Sequence, residues 1–206
     1  MEYFIGIDPS MNSTGLCIQK YEGEKKIRED FFIIRPSTNE LKKKEKLAEE
    51  QCKDFQYVFY DADDLKLYND NNLFHEYWKS YNMIKLVDKI KEIILEYTKG
   101  RNKQIHIVIE GISYGSMSRT KSIFDLAGLN YMIRSYFVEK EGITFWIVPP
   151  SEIKKFTTGN GAANKDSMIH LFEASHSHLI SIPKIDDIAD AYFMSCYSME
   201  LYKKWS

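Results

Sequence analysis

Cysteine is scarce in this sequence, and its few copies show no metal-binding or disulfide pattern. The 206 residues include three cysteines, Cys17, Cys52 and Cys196, which stand far apart and are odd in number. Zinc sites and disulfide frameworks need paired, regularly spaced cysteines. We therefore expect small buried thiols in a reducing compartment, which indicates a cytoplasmic protein.

The sequence also lacks a membrane segment and a secretion signal. No apolar run is long enough to span a bilayer. The first apolar run lies between two acids, Glu2 and Asp8, instead of following basic residues as in a signal peptide. We expect no association with a membrane.

An excess of positive charge is missing as well. Lysine and arginine total 28 residues against 30 aspartates and glutamates, for a net charge of −2. This balance excludes nucleic-acid binding through the overall charge, so any such contact must come from local basic patches. Hydrophobic residues make up 44% and charged residues 28% of the chain, so we expect residues 1–206 to form a single folded domain.

The apolar patterns predict three strands followed by alternating helices and strands. Strands are predicted at residues 3–8, 15–21, 27–35, 104–110 and 145–148. Helices are predicted at residues 82–97, 122–137, 151–156, 164–174 and 185–203. This order predicts an α/β fold, in which a mixed five-stranded sheet carries helices on both faces.

Residues 37–81 break this pattern. A charged helical piece begins near residue 42, residues 61–72 are acidic and rich in asparagine, and residues 55–60 are compatible with a further strand. We interpret the region as an insertion on the core, which either shapes access to a site or forms a solvated charged surface.

Acidic residues end two of the predicted strands and begin the last helix. Asp8 and Glu110 each follow an apolar run, and Asp187 and Asp190 share one helical face because they are three residues apart. If that face turns toward the strand ends, four carboxylates converge and repel one another unless divalent cations neutralise them. Oxygen ligands favour Mg²⁺ or Mn²⁺ over zinc. Each acid alone has a simpler explanation, as a turn former or as a favourable charge in a first helical turn.

Four motifs occur in order along the chain. They are Ile5-Gly-Ile-Asp-Pro-Ser10 with Thr14-Gly15, Val108-Ile-Glu110, a lysine–glycine segment at residues 154–165, and Asp187-Ile-Ala-Asp190-Ala191. Together they resemble the motifs of the RuvC-like Holliday junction resolvases, a family of the ribonuclease H-like superfamily. The resemblance covers residues 1–35 and about 82–203, and it leaves the insertion unmatched.

The resemblance implies a fold, an activity and a set of site residues. The fold would be ribonuclease H-like, and the activity that of a crossover junction endodeoxyribonuclease, a hydrolase of DNA recombination and repair. Such a nuclease resolves four-way (Holliday) junctions by two-metal phosphodiester hydrolysis and nicks paired strands as a homodimer. The resemblance assigns two Mg²⁺ ions, which Mn²⁺ can replace, to Asp8, Glu110, Asp187 and Asp190, and it adds Lys165 to the catalytic set.

The predicted DNA contacts come from two segments without acidic residues, 111–124 and 153–165. Basic groups there would meet phosphates and set position rather than read sequence. Two glycines permit a tight loop whose N–H groups reach a phosphate, although a structural turn is an equal alternative. The candidate DNA-binding residues are Lys154, Lys155, Lys165, Arg119, Lys121, Tyr114, Gly159 and Gly161.

The motifs depart from the family pattern at three points. Ser10 stands where glycine is usual, and Asp186 beside Asp187 leaves two registers open for the helical ligand pair. Tyr114 is offset from the position of the family's base-stacking aromatic residue. These departures suggest a distant branch, such as a viral or phage one, which would act in the host cytoplasm.

Several alternatives remain at this point. One is a broader nuclease of flaps and forks, and another is a catalytically silent DNA-binding module. A third is an actin-like nucleotide-binding protein, in which residues 6–15 would form a phosphate-binding hairpin. The helix predicted at 122–137 is apolar on more than one face, which by analogy predicts a symmetric dimer contact, with deep burial as the competing explanation.

Overall fold

The fold is described here from a computed structural model of the chain. It describes residues 1–38, 40–65, 72–99, 104–112, 120–138, 140–179 and 182–205, with the backbone alone at 72–73 and 120–122. Among these residues, no helix has the length and apolarity to cross a bilayer. All three cysteines are free.

A six-stranded mixed sheet forms the centre of the molecule. The strands are β1 (Glu2–Asp8), β2 (Thr14–Glu22), β3 (Lys25–Pro36), β4 (Phe55–Tyr60), β5 (Gln104–Glu110) and β6 (Ile143–Val148), in the order β4-β3-β2-β1-β5-β6. The first three strands form an antiparallel meander. The other pairs, β1 with β5, β5 with β6 and β3 with β4, are parallel.

The predicted α/β class is confirmed, but the predicted number of five strands is wrong. The sixth strand is β4, which lies within the region predicted as an insertion and pairs with the free edge of β3. Its apolar residues Phe55, Tyr57 and Tyr60 are buried. The short run joins the sheet because its backbone pairs with β3 and its side chains bury against both layers of the core.

Helices cover both faces of the sheet, as predicted. They are α1 (Lys43–Gln51), α2 (Asn72–Tyr97), α3 (Thr120–Phe137), α4 (Pro150–Thr158), α5 (Lys165–Ser175) and α6 (Ile185–Trp205). Helix α2 begins at Asn72 rather than at residue 82. Its first turns escaped the prediction because they expose aromatic residues such as Tyr77 and are tied to α3 by an ion pair between Lys79 and Asp125 (2.9 Å).

The alternation of side chains along the strands divides the core into two layers. On one face, Cys17, Phe31 and Val108 pack with residues of α5 and α6. On the other face, Ile7, Leu16 and Ile107 pack with residues of α2 and α3. Apolar runs in β1, β2 and β5 therefore reflect burial on both sides of the sheet.

Helix α6 lies unusually close to the sheet at two glycines. A Cβ atom added at Gly6 of β1 would lie 1.9 Å from the carbonyl oxygen of Ala191, and one added at Gly15 of β2 would lie 2.2 Å from that of Asp187. No side chain fits at either position. The two glycines therefore set the distance between α6 and the strand ends.

This close approach predicts the cost of filling the space. Replacement of Gly6 by alanine should destabilise the fold by about 1–3 kcal/mol or more, because α6 must move away from β1. Gly128 in α3 is the matched control, since a Cβ atom there would lie 3.9 Å from its nearest neighbour, Met83. Gly128→Ala should stabilise the protein by up to about 1 kcal/mol. Denaturant unfolding of both variants measures the difference, and equal stabilities would contradict the close packing.

Candidate active site

Two carboxylates stand side by side at one edge of the sheet. Strands β1 and β5 are parallel neighbours, with Ile7 opposite Ile109, so the residues that end them, Asp8 and Glu110, lie next to each other. Their side chains are near enough for each to influence the pKa of the other.

Helix α6 brings two further acids to this edge. Its first turn packs on Gly15 and turns Asp187 toward the β1–β2 turn, where the hydroxyl of Ser13 donates a hydrogen bond to Asp187 Oδ2. Asp190, one turn later, acts electrostatically on both Asp8 and Glu110. The helix therefore adds two carboxylates to the pair on the strands, as the three-residue spacing predicted.

All four acids have raised pKa values, and in Asp8 and Asp190 the neighbouring acids contribute to the shift. Burial, followed by the charges of Glu110, Asp190 and Asp187, raises the pKa of Asp8 well above its usual range. Burial and the charge of Glu110 raise the pKa of Asp190 to about 6. Burial also raises the pKa values of Glu110 and of Asp187, the latter against the opposing effect of the Ser13 hydrogen bond. The surroundings of the cluster therefore disfavour the ionised form of each of its acids.

Two lysines, Lys154 and Lys165, face the cluster, and Lys165 also forms an ion pair with Asp186. Lys165 Nζ lies 2.9 Å from Asp186 Oδ2. Although burial opposes it, this ion pair holds the pKa of Asp186 below its usual value. The charges of Lys165 and Lys154 also lower the pKa of Glu110. Of the two adjacent aspartates at the start of α6, Asp186 is thus paired with a lysine and Asp187 belongs to the acid cluster.

Whether a metal ion fits this site depends on the donor atoms of its side chains. Within the described ranges, no three Asp, Glu, His or Cys side chains are arranged so that they could hold a metal ion as they stand. Asp8 nevertheless feels the charges of the other three acids, and a divalent cation would relieve that repulsion. The donors are half-buried carboxylate oxygens, and this chemistry suits Mg²⁺ or Mn²⁺. Asp8, Glu110, Asp187 and Asp190 are the residues that would hold such ions.

The lysine–glycine segment joins α4 to α5 beside the acids. Gly159 ends α4 in a left-handed conformation, with φ of 77°. Gly161 packs beneath α4, where a Cβ atom would lie 2.9 Å from the carbonyl oxygen of Ser151. Asn164 caps α5 through the backbone N–H of Ser167 (2.9 Å). Both glycines therefore have a structural role in this turn. The predicted contact with a phosphate is compatible with this role but is not needed to explain the two glycines.

The remaining predicted DNA contacts are only partly placed. Lys155 lines a groove between α4 and α6 together with Phe156 and Lys204. Tyr114 and Arg119 lie outside the described residues. The backbone of Lys121 is in the first turn of α3.

Ser13 was not among the predicted site residues. It is 4% exposed, and its hydroxyl bonds to Asp187 across the active-site edge. The signal in the sequence was a cluster of small polar residues after Asp8, in which Ser10 and Thr14 also bond to each other and close the turn. The sequence does not distinguish Ser13 from these neighbours, because its contact with Asp187 depends on the packing of α6.

Comparison with known proteins gives a similarity of fold. No family model and no curated protein sequence matches the chain. The fold is similar to that of Thermus thermophilus RuvC, with a TM-score of 0.53 and 14% identity over 98% of this chain and 96% of that chain. A structure of T. thermophilus RuvC in complex with Holliday junction substrate matches with a TM-score of 0.50, 13% identity and the same coverage. The similarity shows a RuvC-type fold, as the motifs predicted.

The raised pKa values predict how the metal-free protein responds to pH. A carboxyl group whose pKa is raised by folding stabilises the fold below its unfolded pKa, and this stabilisation is lost as the pH rises through the folded pKa, about 6 for Asp190. In EDTA at pH 8, Asp8→Asn should therefore raise the stability by about 1–2 kcal/mol, or several degrees in Tm. The gain should shrink at pH 4, and Asp8→Asn should abolish the rise in Tm that Mg²⁺ gives the natural chain.

Asp186→Asn is the control, since it removes the same charge from a carboxylate whose pKa is lowered. It should not raise the Tm in EDTA. A lower Tm for Asp8→Asn at pH 8, or an undiminished response to Mg²⁺, would contradict the assignment of the cluster.

Proposed function

We propose that this protein is a Mg²⁺-dependent endonuclease that cuts branched DNA, chiefly four-way (Holliday) junctions. One observation carries the proposal: four half-buried carboxylates with raised pKa values meet at the strand ends, with Lys165 and Lys154 facing them. The RuvC-type fold supports it, because a solved neighbour with this fold binds Holliday junction substrate. The activity is that of a crossover junction endodeoxyribonuclease.

Each residue of the cluster has a part in the proposed hydrolysis. Bound Mg²⁺ ions, two in each site, supply charge neutralisation and Lewis acidity for phosphodiester cleavage. Asp8, Glu110, Asp187 and Asp190 would hold them, and the ions would neutralise the charges of these acids. Lys165 then offsets the charge that develops on the phosphate, since its partner Asp186 leaves its ammonium group beside the cluster.

The segment that contains Lys154, Lys155 and Lys165 forms the phosphate side of the proposed DNA site. Its lysines lie on α4 and at the start of α5, on either side of the Gly159–Gly161 turn. Residues 111–121, including Tyr114, Arg119 and Lys121, complete the site in this proposal. Such contacts position the backbone of the DNA and do not read its bases.

A homodimer is part of the proposal because paired nicks need two active sites. On α3, Leu129 and Ile133 are fully buried, while Phe124 and Tyr131 are 76% and 65% exposed. The two exposed aromatic residues are seven positions apart and so lie on the same side of the helix. This face supports the predicted symmetric contact between two copies of α3.

The activity can be tested by the nicking of a labelled synthetic four-way junction. The natural chain should cut the junction symmetrically in Mg²⁺ and leave a matched linear duplex intact. Asp8→Asn should lose at least about 100-fold in rate and keep its affinity for the junction, because removal of a negative charge does not weaken phosphate binding. Asp88→Asn removes an exposed charge on α2, paired with Lys91, and should cut normally.

The same assay separates the alternatives. Equal cutting of flaps and forks would replace junction specificity by a broader activity on branched DNA. Binding without cutting, in Mg²⁺ and in Mn²⁺, would favour a silent DNA-binding module. Failure to bind branched DNA would overturn the proposal and would favour the nucleotide-binding alternative.

The dimer is tested by light scattering. Phe124→Asp with Tyr131→Asp should convert a dimer into a folded monomer, because two buried charges would face each other across the contact. Leu171→Asp places the same charge on α5, at a residue that is 42% exposed, and should leave the dimer intact. A natural chain that is monomeric at micromolar concentration, or a double variant that is still dimeric, would contradict this face as the contact.

A further inference from the structure

The edge strand β4 carries two buried tyrosines on opposite faces of the sheet. Tyr57 is 6% exposed and Tyr60 is 3% exposed. Tyr57 belongs to the core layer beneath α6, and Tyr60 to the layer beneath α2. Because they are three positions apart in a strand, their side chains leave the sheet in opposite directions. Their hydroxyl groups therefore reach two different parts of the chain.

The hydroxyl of Tyr60 holds the turn that follows Asp8. It donates a hydrogen bond to the carbonyl oxygen of Met11 (2.9 Å). Met11 lies between Asp8 and Ser13, and Ser13 in turn bonds to Asp187. The bond from Tyr60 thus reaches the backbone of the segment that presents both Asp8 and the hydroxyl partner of Asp187.

The hydroxyl of Tyr57 holds the segment that leads into α6. It donates a hydrogen bond to the carbonyl oxygen of Pro183 (3.3 Å), two residues before the helix begins. At Lys184 the chain takes a left-handed conformation with φ of 68°, and the N–H of Asp187 then bonds to the carbonyl oxygen of Lys184 (3.1 Å). The position of Pro183 therefore sets the start of the helix that carries Asp187 and Asp190.

Two contacts before β4 strengthen the second attachment. The thiol of Cys52 lies 3.2 Å from the carbonyl oxygen of His178, and the His178 ring lies 2.9 Å from Asp54. These residues join the start of β4 to the chain between α5 and α6. The region predicted as an insertion is thus attached to two of the three segments that carry the acids, the turn after Asp8 and the chain before α6.

Both tyrosine hydroxyls are permanent donors. Burial raises the pKa of Tyr60 to about 12, and burial raises that of Tyr57 further above its usual value. Neither bond changes near neutral pH. The two bonds act as fixed supports rather than as a switch.

We propose that Tyr57 and Tyr60 are positioning residues that hold two of the three segments that carry the acids, the turn after Asp8 and the start of α6, so that Asp187 stays against Ser13 and the four carboxylates are preorganised for divalent cations. The insertion would then serve to preorganise the site rather than to cover it. This proposal rests on the metal site put forward under the proposed function. Neither tyrosine touches a reacting group, so both act through the backbone of their neighbours.

Removal of single hydroxyl groups tests whether the two tyrosines hold these segments in position. Tyr60→Phe should speed amide hydrogen exchange in residues 9–14, and Tyr57→Phe in residues 182–189, by about fivefold each, the factor expected for one hydrogen bond. Each variant should leave the other segment unchanged, so that each serves as a control for the other. The exchange is measured in EDTA by mass spectrometry, relative to the buried strand β5.

Cation binding tests the consequence for the site. Calorimetric titration with Mg²⁺ should show an affinity reduced about three- to tenfold in each variant, and more strongly in Ser13→Ala, which removes a direct partner of an acid. The rate of junction cutting at saturating DNA should fall with it, while the KM for the junction stays the same. Tyr202→Phe is the matched control, since it removes a hydroxyl that bonds to Glu2 at the opposite end of the sheet (2.8 Å).

The outcomes separate the two proposals. Faster local exchange together with weaker Mg²⁺ binding supports the positioning role of the two tyrosines. Exchange like that of Tyr202→Phe, or faster exchange with unchanged Mg²⁺ affinity, overturns it. A natural chain that binds no Mg²⁺ overturns the proposed metal site and with it the positioning role, while the exchange measurement still decides whether the tyrosines hold their segments.

Discussion

Mutual repulsion among four carboxylates is the constraint on which the rest of this structure depends. Loss of solvating water raises the pKa values of Asp8, Glu110 and Asp190, and the neighbouring acids raise those of Asp8 and Asp190 further. The fold offsets part of this charge with a hydroxyl from Ser13 and an ammonium group from Lys165. The place that we propose for divalent cations is therefore the one at which these acids oppose one another's ionisation.

Close packing of α6 on the strands and hydrogen bonds from β4 keep these acids together. Gly6 and Gly15 allow α6 to approach the strands so closely that no side chain fits between them. Strand β4 adds hydrogen bonds from Tyr57 and Tyr60 to the two segments that flank the site. Backbone contacts of this kind hold carboxylates that would otherwise move apart, which is a general requirement of a preorganised site.

The comparison with RuvC concerns the fold, and the side chains carry the proposal about function. The two chains are only 14% identical, yet the similarity of fold covers nearly the whole length of both. A fold of this type hosts different activities, so function has to be argued from the site. Here the acids and the lysines meet at the carboxyl ends of parallel strands, a location where α/β proteins generally bind their ligands.

The sequence by itself determined the class of fold, since apolar runs ending in Asp8 and Glu110 are local patterns that reflect burial on both faces. Local patterns did not reveal that β4 adds a sixth strand, because an edge strand is stabilised by its partner. The different partners of Asp186 and Asp187, which are Lys165 and Ser13, were decided by tertiary structure alone. Ser13 and Asp187 are 174 positions apart, and only the packing of α6 on Gly15 brings them into contact.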